Sequence, residues 1–334
     1  MSIHAVLDAI DTGIEEAVLA TIIHVNGSAY RREGTSMLFG KNQQVGVISA
    51  GCLEADLALQ AEQLRITGEP SKVVYYDMTG EDDLTWGRAA GCDGKLHILL
   101  EVVDERLAAQ LLEARQCLRN RCSVTVTKIL SERQTVESSS YERGINEQIS
   151  MLGLKGKKFT QYYVPKPRLF LLGAGDDAQP LAEQAYLAGF EVTVWDWRPA
   201  LCQKERFPTA NVTNVSSLPD FLVDTEQSIH DAIVVMTHVF EKDRDILDRL
   251  LQIPSLGYLG VLGPRRRCKR LLQDRIIPEH VHSPVGLKIA AEGPEEIAIS
   301  ILAEVIAVRR AHLRERGLVI ERQADSRHLF SSRI

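Results

Sequence analysis

The 334-residue chain has little of what most often announces chemistry. Its six cysteines (Cys52, Cys92, Cys117, Cys122, Cys202 and Cys268) form no Cys-x-x-Cys pair and no short-spaced cluster with histidine. Structural zinc and iron–sulfur clusters need closely spaced thiolates, so both are disfavoured. Neither a Gly-x-Ser-x-Gly elbow nor a His-Glu-x-x-His run is present, which removes the common serine hydrolases and zinc proteases. Positive charge is not in excess. The 39 Lys and Arg face 45 Asp and Glu, a formal net charge of −6, and such a chain is a poor nucleic-acid binder. No apolar run reaches the ~18–20 residues that span a bilayer, so no membrane partner is expected. The opening residues read as a short helix carrying acid rather than as a leader, and the expected location is the cytoplasm, with reduced thiols.

What is present is an ordinary globular composition, 45% hydrophobic and 25% charged, at a length that suggests two domains. Residues 17–25 form a near-continuous apolar, β-branched run expected as a buried strand. Short strands follow at 36–39 and 45–49. A helix with Leu53, Leu57, Ala61 and Leu64 on one stripe comes next, then further strands and a helix up to Leu130. Between residues 131 and 160 the periodicity weakens and a loop-rich linker is expected. Pro165 and Pro167 mark the change of domain. From Arg168 the pattern is strand, glycine turn, helix, strand, a βαβ unit that recurs to the end. The expected organisation is an N-terminal α/β domain (1–160), a Rossmann-like doubly wound parallel-sheet domain (161–312) and a basic tail (313–334).

Two groups of residues are candidates for binding. In the first half, Gly27-Ser28-Ala29-Tyr30-Arg31-Arg32-Glu33-Gly34 offers two forked guanidinium groups beside flexible backbone, suited to an anion or to an ordinary charged turn. Gly51-Cys52-Leu53-Glu54 sets a cysteine at a helix start, where thiolates form more readily, and Cys92 sits in a second glycine turn, Gly91-Cys92-Asp93-Gly94. In the second half, Gly173-x-Gly175-x-x-Ala178 is the alanine form of a dinucleotide fingerprint, with Asp196 where a ribose hydroxyl is bound. Asp176 and Asp177 oppose phosphate there; each like charge at ~4–6 Å costs roughly 3–4 kcal/mol before screening. The alternative is that these aspartates cap the helix. His238, at a strand end, and Arg265, at a helix start, complete the set. On these residues alone, a nicotinamide-dependent oxidoreductase with His238 as its acid–base group and NAD(P) as cofactor is one reading.

The ordered motifs also resemble the XdhC/CoxI family of xanthine dehydrogenase accessory factors. The resemblance runs through the segments above and continues through Trp195-Asp196-Trp197-Arg198-Pro199, Val235-Met236-Thr237-His238, Tyr258-Leu259-Gly260-Val261-Leu262-Gly263-Pro264-Arg265-Arg266 and His282-Ser283-Pro284-Val285-Gly286-Leu287. It implies a non-catalytic maturation factor that binds molybdenum cofactor and assists its sulfuration and insertion into a molybdenum hydroxylase. The implied partners are xanthine dehydrogenase and a cysteine desulfurase, and the implied state is a homodimer. Gly27, Ser28, Arg31, Arg32, Gly51, Cys52, Glu54, Cys92, Gly173, Gly175, Asp196, His238 and Arg265 become the expected cofactor contacts, with Cys52 the molybdenum contact. The dehydrogenase itself is not implied, because its iron–sulfur clusters need thiolate spacings absent here. One departure concerns His238: the family's Thr-His-Asp-His run reads Thr237-His238-Val239-Phe240, losing an acid and a second histidine.

Overall fold

The computed structural model describes residues 3–49, 51–78, 93–145, 153–213, 218, 231–253, 256–273 and 278–318. The chain divides into two compact units, Met1–Val164 with Arg314–Ile334, and Pro165–Leu313.

The first unit runs α1 (Ile3–Asp11), β1 (Val18–Ser28), β2 (Ser36–Phe39), β3 (Gln44–Val45), α2 (Glu54–Thr67), β4 (Ser71–Asp77), β5 (Asp93–Val102) and α3 (Glu105–Arg119). Its strands make an antiparallel sheet in the order β3-β2-β1-β5-β4. The apolar run of β1 is explained by its central place. Val18, Ala20 and Ile22 pack with Leu57, Ala61 and Leu64 of α2 on one face. Leu19, in the other core, meets Val6, Leu7 and Ile10 of α1 and Leu111 and Ala114 of α3. A strand covered on both faces reads as continuous rather than alternating. Asp104 starts α3 by accepting from the Leu107 N–H at 2.7 Å, an ordinary N-cap.

A second antiparallel sheet, β7-β6-β9-β8, is built from β6 (Val124–Leu130), β7 (Val136–Arg143), β8 (Gly153–Lys155) and β9 (Lys158–Tyr163). This corrects the reading of residues 131–160 as a loop-rich linker, since β7, β8 and the start of β9 lie within it. The reason is physical. β7 is an edge strand of sequence Val-Glu-Ser-Ser-Ser-Tyr-Glu-Arg, half open to solvent, so it carries no apolar alternation to read. Lys128 of β6 is fully buried and ion-paired with Glu101 of β5. Pairing offsets the large desolvation cost that either charge would carry alone.

The second unit runs β10 (Arg168–Leu172), α4 (Ala178–Leu187), β11 (Glu191–Trp195), β12 (Asn211–Thr213), β13 (Asp231–Val235), α5 (Phe240–Leu250), β14 (Tyr258–Val261), α6 (Arg265–Leu272), β15 (Val281–His282) and α7 (Gly293–Glu315). Every pairing is parallel, in the order β12-β11-β10-β13-β14-β15. This is the doubly wound Rossmann order expected from sequence, with its strand order reversing between β10 and β13. Both faces are covered. Leu169, Leu171, Val192 and Val194 pack with α4 and α7, while Phe170, Leu172, Ile233 and Val235 pack with α5 and α6. The reversal point places the end of β10 beside the end of β13, so Gly173 and Thr237-His238 share the edge where such sheets bind ligands. Among the described residues, no helix is long and apolar enough to cross a membrane.

Candidate functional site

In the first unit the candidates gather at one end of the five-stranded sheet. β1 ends at Gly27 and Ser28, paired with Gly94 and Asp93 at the start of β5. The pairing is tight: a Cβ on Gly94 would lie 2.5 Å from the Ser28 carbonyl. The chain then turns through Arg31 and Arg32 and re-enters the sheet at Ser36. Glu33 braces this turn, its Oε1 accepting from the Val25 N–H at 2.9 Å and lying 3.1 Å from His24 Nδ1. Arg31 is half-buried, its guanidinium carbon 5.2 Å from the Tyr30 ring centroid. Its Nε is buried without a hydrogen-bond partner. A buried donor left unmade costs about 1–3 kcal/mol, so this N–H is a standing demand for an acceptor.

The loop bearing Cys52 leaves from the same sheet end. Gly46 approaches so closely that a Cβ there would sit 3.0 Å from the Ser36 carbonyl. Ala29 of the arginine turn and Cys52 both pack against one core that includes Ile48, Leu53 and Met78. Cys52 is a free, half-buried thiol just ahead of α2. Glu54 holds its loop. Oε1 accepts from the N–H groups of Ile48 at 3.1 Å and Ser49 at 2.7 Å, while Oε2 accepts from the Ser49 hydroxyl and from the Gly51 N–H at 3.1 Å. The Ser49 oxygen in turn accepts from the Leu53 N–H at 2.9 Å. Burial works against charge on Glu54, but these bonds outweigh it and hold its carboxyl below the ordinary 4.5. Glu54, expected as a cofactor contact, is therefore engaged as a brace for the Cys52 loop. Cys92 lies outside the described residues.

The glycine turn of the second unit is closed upon itself. Gly173, at φ +128°, passes so near β13 that a Cβ would sit 2.4 Å from the Met236 carbonyl; only glycine fits. Asp196 is fully buried, accepting from the Ala174 N–H at 2.8 Å and from the Arg198 side chain at 2.8 and 2.9 Å. Both carboxylate oxygens are thus engaged where a ribose would bind. The two aspartates of the turn do not cap α4, whose N-cap Asp177 makes no capping bond. Asp177 instead meets His238 Nε2 at 2.8 Å, and Asp176 meets Arg206 at 2.7 Å. The Asp177 hydrogen bond raises the His238 pKa above 6.5 against the opposing effect of burial. Gly175 adjoins the same pair: a Cβ on it would lie 2.7 Å from an Asp177 oxygen.

Spacing did not reveal what sets this arrangement. Asp243, fully buried in the first turn of α5, accepts from the Thr237 N–H and hydroxyl and from Arg267 Nη2 at 2.6 Å. Thr237 is thereby fixed, and with it His238, which adopts φ +63°. An acid at a helix start is a legible signal. Its partner Arg267, one helix later, is not. Arg265 is exposed at the first position of α6.

Comparison with known proteins bears directly on these two units. A probable xanthine dehydrogenase subunit of Bacillus subtilis (strain 168) is 41% identical over 326 residues, 92% of this chain and 97% of that protein. The model of the XdhC and CoxI family matches residues 13–77, and that of the XdhC Rossmann domain matches residues 169–305. The chain belongs to the XdhC and CoxI family. A crystal structure described as a xanthine dehydrogenase from Bacillus halodurans has the same XdhC-like architecture, with a TM-score of 0.83, 38% identity and 98% of both chains covered. The molybdenum cofactor insertion chaperone PaoD of Escherichia coli (strain K12) is 25% identical over 301 residues, 88% of this chain and 83% of that protein. The XdhC and CoxI match spans the arginine turn and the Cys52 loop, while the XdhC Rossmann match spans the closed glycine turn and α6.

Proposed function

We propose that this chain is an accessory factor that binds molybdenum cofactor and assists its sulfuration and insertion into a xanthine dehydrogenase-type molybdenum hydroxylase. The observation that carries the reading is the unpartnered, buried Nε–H of Arg31 at the same sheet end as the half-buried free thiol Cys52. Family membership and the chaperone PaoD among the relatives support it. The donor set fits such a cargo. A phosphate needs cationic forked donors and flexible backbone beside them, which Arg31, Arg32, Gly27 and Ser28 supply, while Gly51, whose N–H is given to Glu54, lets the Cys52 loop turn in close by. A soft sulfur ligand suits molybdenum, and Cys52 supplies a free thiol, with Cys92 as a second thiol. Glu33 and Glu54 act behind these contacts, fixing the two loops. A homodimer in the cytoplasm, receiving sulfur from a cysteine desulfurase, completes the proposal.

The nicotinamide-dependent reading has less behind it. Asp196 is consumed by Arg198 and Ala174, and Asp177 and His238 close over the turn where a pyrophosphate would lie. Mass spectrometry and molybdenum analysis of the native protein from molybdenum-replete cells test the proposal. The expected result is a retained molybdenum-pterin, reduced in Arg31→Ala and depleted of metal in Cys52→Ala. A wild-type protein that never retains pterin refutes the reading. Unchanged metal in Cys52→Ala removes the thiol from it.

A further inference from the structure

The acids at the glycine turn leave the carboxyl edge of the parallel sheet unevenly charged. One crossover away, beyond β13 and β14, an open groove of about 450 Å³ is lined by Phe240, Arg266, Lys269, Arg270 and Gln273. We propose that this groove binds the phosphate of a small molecule, so that the anion site of the Rossmann unit has moved from its glycine turn to the α5–α6 crossover.

Four observations converge. Its volume falls in the range of small-ligand sites, roughly 300–1,000 Å³. Among the described residues, three cations and no acid line it, in a chain whose net charge is −6. One cationic head of the groove, that of Arg270, is ordered before any ligand arrives, and Arg267, which does not line the groove, steadies the same ring. The Arg270 guanidinium carbon lies 5.1 Å from the Phe240 centroid, and that of Arg267, itself tied to Asp243, lies 6.0 Å from it. An arginine resting on a ring loses less freedom on binding and keeps its N–H edge for a forked contact. Finally, the usual position for an anion in such a fold, the glycine turn after the first strand, is shut by Asp177 and His238.

The arrangement favours a compact anion over an acidic peptide. Arg266, Lys269, Arg270 and Gln273 recur at three- and four-residue spacing along one face of α6, a row only ~10 Å long. That length suits a phosphate ester or diphosphate rather than an extended chain. The proposal is independent of the carrier reading, whose tests fall on the first unit.

Isothermal titration of the full chain with inorganic pyrophosphate tests it. Saturable binding is expected, weakening as salt rises. In Arg266→Ala/Arg270→Ala affinity should fall by at least about tenfold, since each charge-assisted bond carries that much. Arg270→Lys, which keeps the charge and the helix but loses the fork, should fall between the two. Asp177→Asn should bind as the wild type does. Comparing ADP with a phosphorylated pterin then distinguishes a nucleotide from a pterin phosphate as the natural source. No binding of pyrophosphate, equal affinity in the double variant, or an affinity governed by Asp177→Asn overturns the proposal. So does capture of an acidic peptide in the groove without pyrophosphate binding.

Discussion

Replacing Glu54 with glutamine probes whether the Cys52 loop is held as described. The carboxylate takes four donors, two on each oxygen. Glutamine keeps one acceptor for the Ile48 and Ser49 N–H groups but turns an NH₂ toward the Gly51 N–H and the Ser49 hydroxyl. Hydrogen bonds to a charged group contribute about 1.5–3 kcal/mol and neutral ones about 0.5–1.5. Two bonds are weakened by about 1 kcal/mol each, the Ser49 hydroxyl can rotate to accept from the new NH₂, and Gly51, which is exposed, turns to water. The net cost is about 2 kcal/mol. In a unit of this size the melting temperature should fall by about 4–8 °C. If the loss acts by local opening, modification of Cys52 by a thiol reagent should accelerate up to about thirtyfold, the Boltzmann equivalent of that energy. Proteolysis and mass spectrometry of the labelled protein distinguish Cys52 from the other thiols. The pH dependence has a definite sign. Because the folded Glu54 pKa is lowered, its contribution is present above the ordinary 4.5 and is lost as pH falls through the folded value. Wild type and Glu54→Gln should therefore converge in stability in acid. Equal melting temperatures and equal Cys52 labelling at neutral pH would refute the bracing role.

Two further outcomes test the second unit. Gly173→Ala places a methyl group 2.4 Å from the Met236 carbonyl at a positive φ, and should destabilise that unit by about 2–4 kcal/mol in chemical denaturation. His238 has a raised pKa from its Asp177 partner, so its stabilising contribution is complete below 6.5 and declines as pH rises through the higher folded value. NMR titration should find that raised pKa in the wild type and a return toward 6.5 in Asp177→Asn.

Much of the fold was legible because burial on both faces writes itself as continuous apolar runs. Residues 17–25 announced β1, and the strand–glycine–helix punctuation after Arg168 announced the Rossmann unit. The second sheet of the first unit was not legible. β7 exposes serines and glutamates on an edge, so its pairing depends on main-chain hydrogen bonds that leave no side-chain pattern. The site divides in the same way. Arg31 and Cys52 were visible from their glycine-rich settings, whereas the engagement of Glu54, Asp196 and Asp177 was not. Asp177 and Asp196 bond to groups that the folded chain brings to them across 61 and 22 residues, while Glu54 turns back onto its own loop, a local bend that residue type does not announce. Residue type predicted that the acids matter. It did not predict that they are already occupied by the protein's own donors.

Gly173 carries a lesson about reading fingerprints. Its missing side chain is required here by the main chain of the neighbouring strand, which runs too close to admit even one carbon atom. The same spacing of glycines would thus survive in a molecule that never met a dinucleotide. Such a signature measures clearance between two stretches of polypeptide, and the guest must be inferred from whatever polar groups are left over once that clearance is filled.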